Sequence, residues 1–129
     1  MPALSDQARA LIDGANVATV ATIQPDGRPQ QSLVWVTREG DEVLFSTLEG
    51  RQKHKNLVRD PRVTLLVHSA ANPYAYLEIR GTATIGHEGA AELIDTLGVK
   101  YTGKPYDYDE PGDIRIVVRV SAEHIVERS

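Results

Sequence analysis

The sequence of 129 residues contains no cysteine, which excludes disulfide bonds, thiolate nucleophiles, zinc ribbons and cysteine-ligated iron–sulfur clusters. A chain without disulfides suits a reducing compartment, so we expect a cytoplasmic protein. Aromatic residues are scarce, with one Trp, one Phe and five Tyr. No run of about 18 apolar residues occurs, and residues 1–10 lack a signal-peptide pattern, so neither a membrane span nor export is expected.

The length and the balance of residue types predict one domain over residues 1–129. Apolar residues make up 41% of the chain and charged residues 25%, which is typical of a water-soluble globular protein. One domain usually takes about 100 to 200 residues. Since no internal repeat and no linker-like segment is visible, a second domain is not expected.

The charge of the chain is acidic overall but unevenly distributed. There are 14 basic and 18 acidic residues, a net charge of −4, which argues against nucleic-acid binding through general electrostatics. Residues 51–62 hold five basic residues and one acidic residue, a local charge of +4, which leaves −8 for the rest of the chain. This concentration of cations indicates a small anionic ligand at that segment.

Alternating apolar and β-branched residues predict antiparallel strands. The first two flank Asp26-Gly27, a pair that suits the positive φ angles of a tight hairpin turn. The predicted strands cover residues 17–23, 30–37, 42–47, 63–68, 74–85 and 114–120, and residues 123–127 can add another.

Three short helices are predicted between or before these strands. The first begins at Ser5 and ends at Gly14, the second covers residues 50–59, and the third begins near Ala90 and ends near Gly98. Residues 101–112 are expected to form a loop. About six antiparallel strands with short helices predict a mainly β fold, a small barrel with helices against its openings.

The motifs of several common catalytic and cofactor sites are absent. The four histidines form no i, i+4 pair, so no metal site is expected. There is no G-x-S-x-G turn, no G-x-G-x-x-G after a strand and no Walker loop. We therefore assign no metal ligand and no catalytic side chain.

The basic segment favours phosphate if it is helical. Arg51 and Lys55 then lie on one side of the helix at i, i+4, and the free N–H groups of the first turn add partial positive charge. Ser46 and Thr47, at the end of the preceding strand, can add hydroxyl donors. A helix face that is simply solvated is the alternative interpretation of the same charges.

Three segments resemble the flavin/deazaflavin oxidoreductases of the pyridoxamine 5′-phosphate oxidase-like split β-barrel class. They are VATVATIQPDGRPQQSLVWV, LFSTLEGRQKHKNLVRDPRVTLLV and YAYLEIRGTATI, and the closing IRIVVRVSAEHIV is also similar. The specific part is a strand that ends in Ser-Thr and is followed by G-R-x-K-x-K-N-L-x-x-D-P-R.

The resemblance implies a six-stranded antiparallel split β-barrel of the FMN-binding type, paired into a homodimer with cofactor sites in the grooves between subunits. It implies that the phosphate of coenzyme F420 or of FMN is held by Ser46, Thr47, Arg51, Lys53, Lys55 and Asn56. The cofactor ring is expected along Ser32, Val34, Trp35 and Val36, and the partner subunit is expected to contribute Tyr74 and Tyr76.

The expected activity is hydride transfer from reduced F420 to a flat, conjugated small molecule of the quinone, enone or tetrapyrrole type. The acidic tail of F420 favours additional cations, which Arg59 and Arg62 can supply. The chain lacks the C-terminal motifs of the pyridoxamine phosphate oxidases proper, so oxidation of vitamin B6 is not expected. Three alternatives stay open: an FMN-dependent enzyme, a non-catalytic carrier of the cofactor, and an interaction domain for an acidic protein.

Three aromatic residues have two interpretations each. Trp35 can be an ordinary core residue or a wall of the cofactor site. Tyr106 and Tyr108 can donate a proton to the substrate, or they can simply pack against neighbouring groups.

Overall fold

The computed structural model describes residues 2–129, which form three helices and seven strands. In chain order these are α1 (Asp6–Asp13), β1 (Ala18–Ile23), β2 (Pro29–Val34), β3 (Val36–Glu39), β4 (Glu42–Leu48), α2 (Gln52–Arg59), β5 (Arg62–His68), β6 (Tyr76–Gly86), α3 (Ala90–Thr102) and β7 (Arg115–Arg128). All strand pairs are antiparallel, in the order β2-β1-β5-β6-β7-β4-β3. No helix within residues 2–129 combines the length and hydrophobicity needed to cross a bilayer.

The two edges of the sheet are joined by a single residue. β2 and β3 lie at opposite ends of the strand order, yet only Trp35 separates them in the chain. Because adjacent Cα atoms are about 3.8 Å apart, the edges must approach each other and the sheet must curl. The mainly β prediction is thus confirmed, but the strand count is corrected from six to seven, since the strand expected over residues 30–37 breaks at Trp35.

The last strand is longer than predicted. Residues 114–120 and 123–127 were expected as separate segments, whereas β7 runs without interruption and pairs with the whole of β6 through residues 117–128. A shift of register between Arg80 and Gly81 marks a bulge in this pairing. A Cβ atom at Gly81 would overlap the carbonyl oxygen of Ser121, so the close approach of the two strands requires glycine.

The interior of the curled sheet is apolar. Alternate residues of each strand face inward, and α1 adds Ala8 and Ile12 across one opening. As predicted, Ser5 begins this helix, and its Oγ accepts a hydrogen bond from the Ala8 amide at 3.0 Å. The largest fully buried side chains include Phe45, Leu65, Leu77, Ile79 and Ile116. Each contributes about 1.5 to 3 kcal/mol to the free energy of unfolding by its burial.

α3 covers the outer face of β4 and β7 and continues past its predicted end. Gly98 lies inside the helix and does not end it. Glycine is required there because the following loop crosses directly over this position. A Cβ atom at Gly98 would lie 2.6 Å from the Tyr106 amide nitrogen and 2.9 Å from the Lys104 carbonyl oxygen. The helix ends instead at Gly103, whose φ of 88° suits a helix C-cap. Tyr101, expected in the loop, is therefore helical.

Candidate functional site

A cavity of about 330 Å³ opens beside the junction of β2 and β3. Its apolar wall comes from the sheet edge, from α3 and from the loop after α3, and consists of Val17, Leu33, Val34, Trp35, Ile94, Leu97 and Tyr106. Its polar end comes from the end of β4, from α2 and from the start of β7, and consists of Ser46, Arg51, Lys53 and Arg115. The cavity therefore suits a molecule with one flat apolar part and one anionic part.

Lys53 is the most buried of the cations in this cavity. It lies in the first turn of α2 and is 9% exposed. Burial and the positive charges of Arg51 and Arg115 lower the pKa of its ammonium group. A buried ammonium group beside two guanidinium groups is stabilised by an anion, which offsets the desolvation and the mutual repulsion.

Arg115 completes the polar end of the cavity. Its side chain is 12% exposed, and Nη1 donates to Ser46 Oγ at 3.4 Å. Nε and Nη2 donate to the two carboxylate oxygens of Asp109, at 2.9 and 2.7 Å. These hydrogen bonds lower the pKa of the Asp109 carboxyl. The arginine is thus held in place by an acidic residue of the loop after α3.

Arg115 was not predicted as a site residue, because it lies far from the basic segment in the chain. In the sequence, Arg115 is a polar residue among alternating apolar ones in the strand predicted over residues 114–120. The antiparallel pairing of β4 with β7 places Leu48 opposite Arg115 and so brings the arginine beside Ser46. The alternation of polar and apolar residues indicated that Arg115 lies on the polar face of its strand. It did not indicate which strand pairs with that strand.

The residues predicted to hold a phosphate are only partly brought together. Ser46, Arg51 and Lys53 line the cavity. Thr47 faces the opposite side of β4, since successive strand residues alternate, and it is 1% exposed inside the barrel. Its Oγ1 has no hydrogen-bond partner in the described part of the chain. Lys55 is exposed on α2 and does not line the cavity.

Asn56 is fully buried and links α2 to the barrel. Its Nδ2 donates to Thr22 Oγ1 at 3.0 Å and to Gln24 Oε1 at 3.1 Å, while its Oδ1 accepts from Gln52 Nε2 at 2.9 Å. Both amide hydrogens are used by these contacts, so none is free for the phosphate that was predicted here. Instead, Asn56 fixes the position of the helix that carries Lys53.

The residues predicted along a cofactor ring also divide into two groups. Val34 and Trp35 line the cavity, whereas Ser32 and Val36 do not. The Ser32 Oγ is buried and has no hydrogen-bond partner within residues 2–129, and Val36 belongs to the core. Trp35 stacks on Tyr101, so it serves as a packing residue and as a wall of the cavity at once.

Tyr106 lines the cavity and Tyr108 lies outside it. The Tyr106 ring contacts Trp35 edge-on at a centroid distance of 6.0 Å and lies 4.9 Å from the guanidinium carbon of Arg115. Tyr108 packs against Tyr106 at 5.3 Å and is largely exposed. Of the two tyrosines considered as proton donors, Tyr106 is the one beside the cavity.

Tyr74 and Tyr76 lie away from this cavity in their own chain. Tyr74 is exposed, and Tyr76 lines a separate groove on the outer face of the sheet together with Leu66, His68, Pro73 and Val126. A contribution of these tyrosines to the cavity of a partner subunit stays a prediction.

Residues 4–127 match the family model of pyridoxamine 5′-phosphate oxidase. Among solved structures, an F420 reductase is 26% identical and superposes with a TM-score of 0.84, over 97% of this chain and 100% of that one. A conserved hypothetical protein from Mycobacterium tuberculosis is 27% identical, with a TM-score of 0.77, over 95% of this chain and 82% of that one.

General Stress Protein 26 from Bacillus anthracis shares the fold at 16% identity, with a TM-score of 0.72 over 93% of this chain and 89% of that one. The family match extends over nearly all the described residues, including every side chain that lines the cavity. The chain therefore belongs to the pyridoxamine 5′-phosphate oxidase family, in its split-barrel class.

Proposed function

We propose that the protein is a cytoplasmic reductase that uses reduced coenzyme F420 and acts on a flat, conjugated small molecule such as a quinone, an enone or a tetrapyrrole. The observation that carries this proposal is the buried Lys53 ammonium between Arg51 and Arg115, at one end of a largely apolar cavity. The likeness to a solved F420 reductase over the whole chain supports the choice of cofactor. When bound, reduced F420 supplies a hydride in a two-electron step.

In this proposal the polar end of the cavity holds the cofactor's phosphate. Lys53 and the two arginines donate charge-assisted hydrogen bonds, each worth about 1.5 to 3 kcal/mol, and Ser46 Oγ adds a neutral donor. Lys53 and Arg115 are already largely buried in the free protein, so at these two groups the anion meets cations whose hydration has largely been removed. Asn56 contributes through the placement of α2.

The apolar end of the cavity orients the cofactor ring. Trp35, Leu33 and Leu97 provide flat or aliphatic surface that excludes water from one side of a planar molecule. Trp35 is held by its stack with Tyr101, so the wall does not need to reorganise on binding. Positioning of two reactants in this way is the main contribution that the chain can make to the reaction rate.

No Asp, Glu or His lines the cavity within residues 2–129. The described chain therefore places no carboxylate or imidazole in this cavity that could act as a general acid or base. Where the reduced substrate needs a proton, the Tyr106 hydroxyl is the candidate donor, because it is the only phenol that lines the cavity in the described chain.

A homodimer is part of this proposal. Leu33, at the edge of the cavity, is 71% exposed, and Leu66 and Tyr74 add apolar surface on the outer side of the sheet. Burial of such surface against a second copy would let Tyr74 and Tyr76 cover the partner's cavity. Light scattering in solution tests this point, because a monomeric mass would contradict it.

FMN is the second candidate cofactor. Three cations at one end of the cavity also suit a phosphate monoester, and the family that contains this chain is the pyridoxamine 5′-phosphate oxidase family. A cofactor carrier without catalytic activity is the other candidate, since the cavity within the described chain lacks an acidic or histidine side chain.

The experiment is a fluorescence titration of the purified protein with F420 and with FMN, followed by mixing of the reduced F420 complex with quinones, enones and tetrapyrroles. We expect F420 to bind at least about tenfold more tightly than FMN, a difference of about 1.4 kcal/mol, and to be reoxidised by one of these acceptors. Tighter binding of FMN would favour the flavin enzyme. Tight binding of F420 without reoxidation by any acceptor would favour the carrier, and absence of binding would contradict the proposal.

A further inference from the structure

We infer that Asp109 shifts the preference of the cationic site toward a singly charged phosphodiester and away from a doubly charged phosphate monoester. The inference rests on the proposed function and deepens it, because it names the class of phosphate that this site selects. Asp109 acts through Arg115 and is a positioning residue rather than a residue in contact with the ligand.

The first observation is the position of the Asp109 charge. The carboxylate lies within hydrogen-bonding distance of Arg115, and the positive charge of Arg51 also acts on it. The Asp109 side chain is 31% exposed and does not itself line the cavity. A fixed negative charge thus lies directly behind a cavity that is lined by three cations.

Repulsion from this charge grows with the charge of the ligand. A phosphate monoester carries close to two negative charges at neutral pH, whereas a diester carries one. In Coulomb's law the monoester therefore meets about twice the repulsion from Asp109 that the diester meets at the same place. The carboxylate weakens the binding of both ligands, but it weakens that of the monoester more.

The second observation is the use of the Arg115 donors. Asp109 occupies Nε and Nη2, which form the side of the guanidinium group that binds carboxylate or phosphate in a bidentate manner. Nη1 is the nitrogen that approaches Ser46 and the cavity. A monoester presents three free oxygens and a diester only two, so the smaller set of available donors suits the diester.

The test compares two ligands that share one ring system and differ in one negative charge: FMN and its singly charged ester, riboflavin 5′-methylphosphate. Both are titrated into the wild-type protein and into Asp109→Asn, which keeps the size of the side chain and removes its charge. F420 is titrated in parallel. The matched control is Asp107→Asn, an exposed acid two residues earlier in the same loop, for which no ion pair is described within residues 2–129.

At about pH 8 we expect Asp109→Asn to tighten FMN binding about tenfold more than it tightens binding of the methyl ester, while Asp107→Asn leaves the ratio of the two dissociation constants unchanged. Asp109→Glu, which retains the charge, should keep a ratio close to that of the wild type. Asp109→Ala, which removes both charge and contact, should shift the ratio in the same direction as Asp109→Asn. This variant keeps the test usable if Asp109→Asn folds poorly.

The pH dependence separates a charge effect from a merely structural one. The dianion of a phosphate monoester takes up one proton at about pH 6, so at about pH 5 the two free ligands carry nearly the same charge and the difference between variants should shrink. Asp109 itself stays ionised there, because its hydrogen bonds with Arg115 lower its pKa.

Other ionisable groups around the site do not mimic this result. Arg51, Lys53, Arg115 and Tyr106 line the cavity in the wild type and in the Asp109 variants alike. His54, on α2, accepts a hydrogen bond from the Gly50 amide at 2.9 Å and is likewise present in all of these proteins. Its contribution is common to wild type and variant, so it cancels in the comparison of their ratios.

Two further results would overturn the inference in distinguishable ways. If all ligands bind but the FMN-to-ester ratio is the same in wild type and Asp109→Asn, or if the variant weakens both ligands equally, Asp109 only holds Arg115 in place and the proposed function stands. If neither the wild type nor any variant binds F420 or either flavin, the proposed function itself fails, and the inference fails with it.

Discussion

The indole ring of Trp35 and the phenol ring of Tyr101 stack with their centroids 5.3 Å apart and their planes inclined by 8°. Trp35 is the residue at which the chain passes from one edge of the sheet to the other. Tyr101 belongs to α3, and its hydroxyl accepts a hydrogen bond from the Val36 amide at 3.2 Å and donates one to the Asn16 carbonyl at 2.7 Å. The junction of the sheet edges is therefore closed by a helix side chain.

Tyr101→Phe should lower the free energy of unfolding by about 1 to 3 kcal/mol. The substitution keeps the stack on Trp35 but leaves a partly buried amide and a partly buried carbonyl without their partner. Urea denaturation followed by the fluorescence of Trp35 measures the effect. The control is Tyr108→Phe, whose hydroxyl is on an exposed side chain. Equal denaturation midpoints for Tyr101→Phe and the wild type would contradict the role of this hydroxyl.

Thr47→Val should raise the free energy of unfolding by up to about 1 kcal/mol and leave the affinity for F420 unchanged. The Thr47 hydroxyl is buried on the inner face of β4 and has no partner within residues 2–129, so a methyl group of similar size removes an unsatisfied polar atom. Ser46→Ala is the matched change on the outer face, where we expect weaker F420 binding with little change in stability. A loss of affinity in Thr47→Val would instead place its hydroxyl on the phosphate.

The affinity for F420 should fall as the pH rises toward the alkaline range. In the free protein, burial and the neighbouring arginines lower the pKa of Lys53 from its ordinary value of 10.5. A bound anion stabilises the protonated form and raises that pKa again. Binding is therefore strongest below the lowered pKa and is lost as the pH rises through it. Titrations between about pH 7 and about pH 10 measure this, and Lys53→Gln should lose the alkaline dependence. The same slope in both proteins would assign the effect to another group.

The sequence carries local information about this site and little about its assembly. Arg51 was predictable because a charge cluster followed by Pro61 marks a short basic helix, although the helical spacing favoured Lys55 beside it and Lys53 came from the family resemblance. The strands were predictable from alternation, and the inward positions of Leu77 and Ile79 agree with it. These features depend only on neighbouring residues.

Features that depend on distant contacts were not predictable. Arg115 joins the site through the pairing of β4 with β7, and the break at Trp35 follows from closure of the sheet. Asn56 has the residue type of a phosphate ligand, but its amide is used by β1 and by the segment after it. Gly98 has the residue type of a helix end, yet it is a point of close contact with the loop above it.

The assignment of the cofactor site rests on the buried Lys53 ammonium group, so the decisive measurement is the dissociation constant of F420 for Lys53→Gln compared with that for Lys55→Gln. The two lysines lie two residues apart on α2, one inside the cavity and the other exposed. We predict that Lys53→Gln weakens F420 binding by about tenfold or more, which corresponds to about 1.5 to 3 kcal/mol, and that Lys55→Gln weakens it less than about threefold. Equal effects of the two substitutions, or a larger effect of Lys55→Gln, would contradict the assignment of this cavity as the cofactor site.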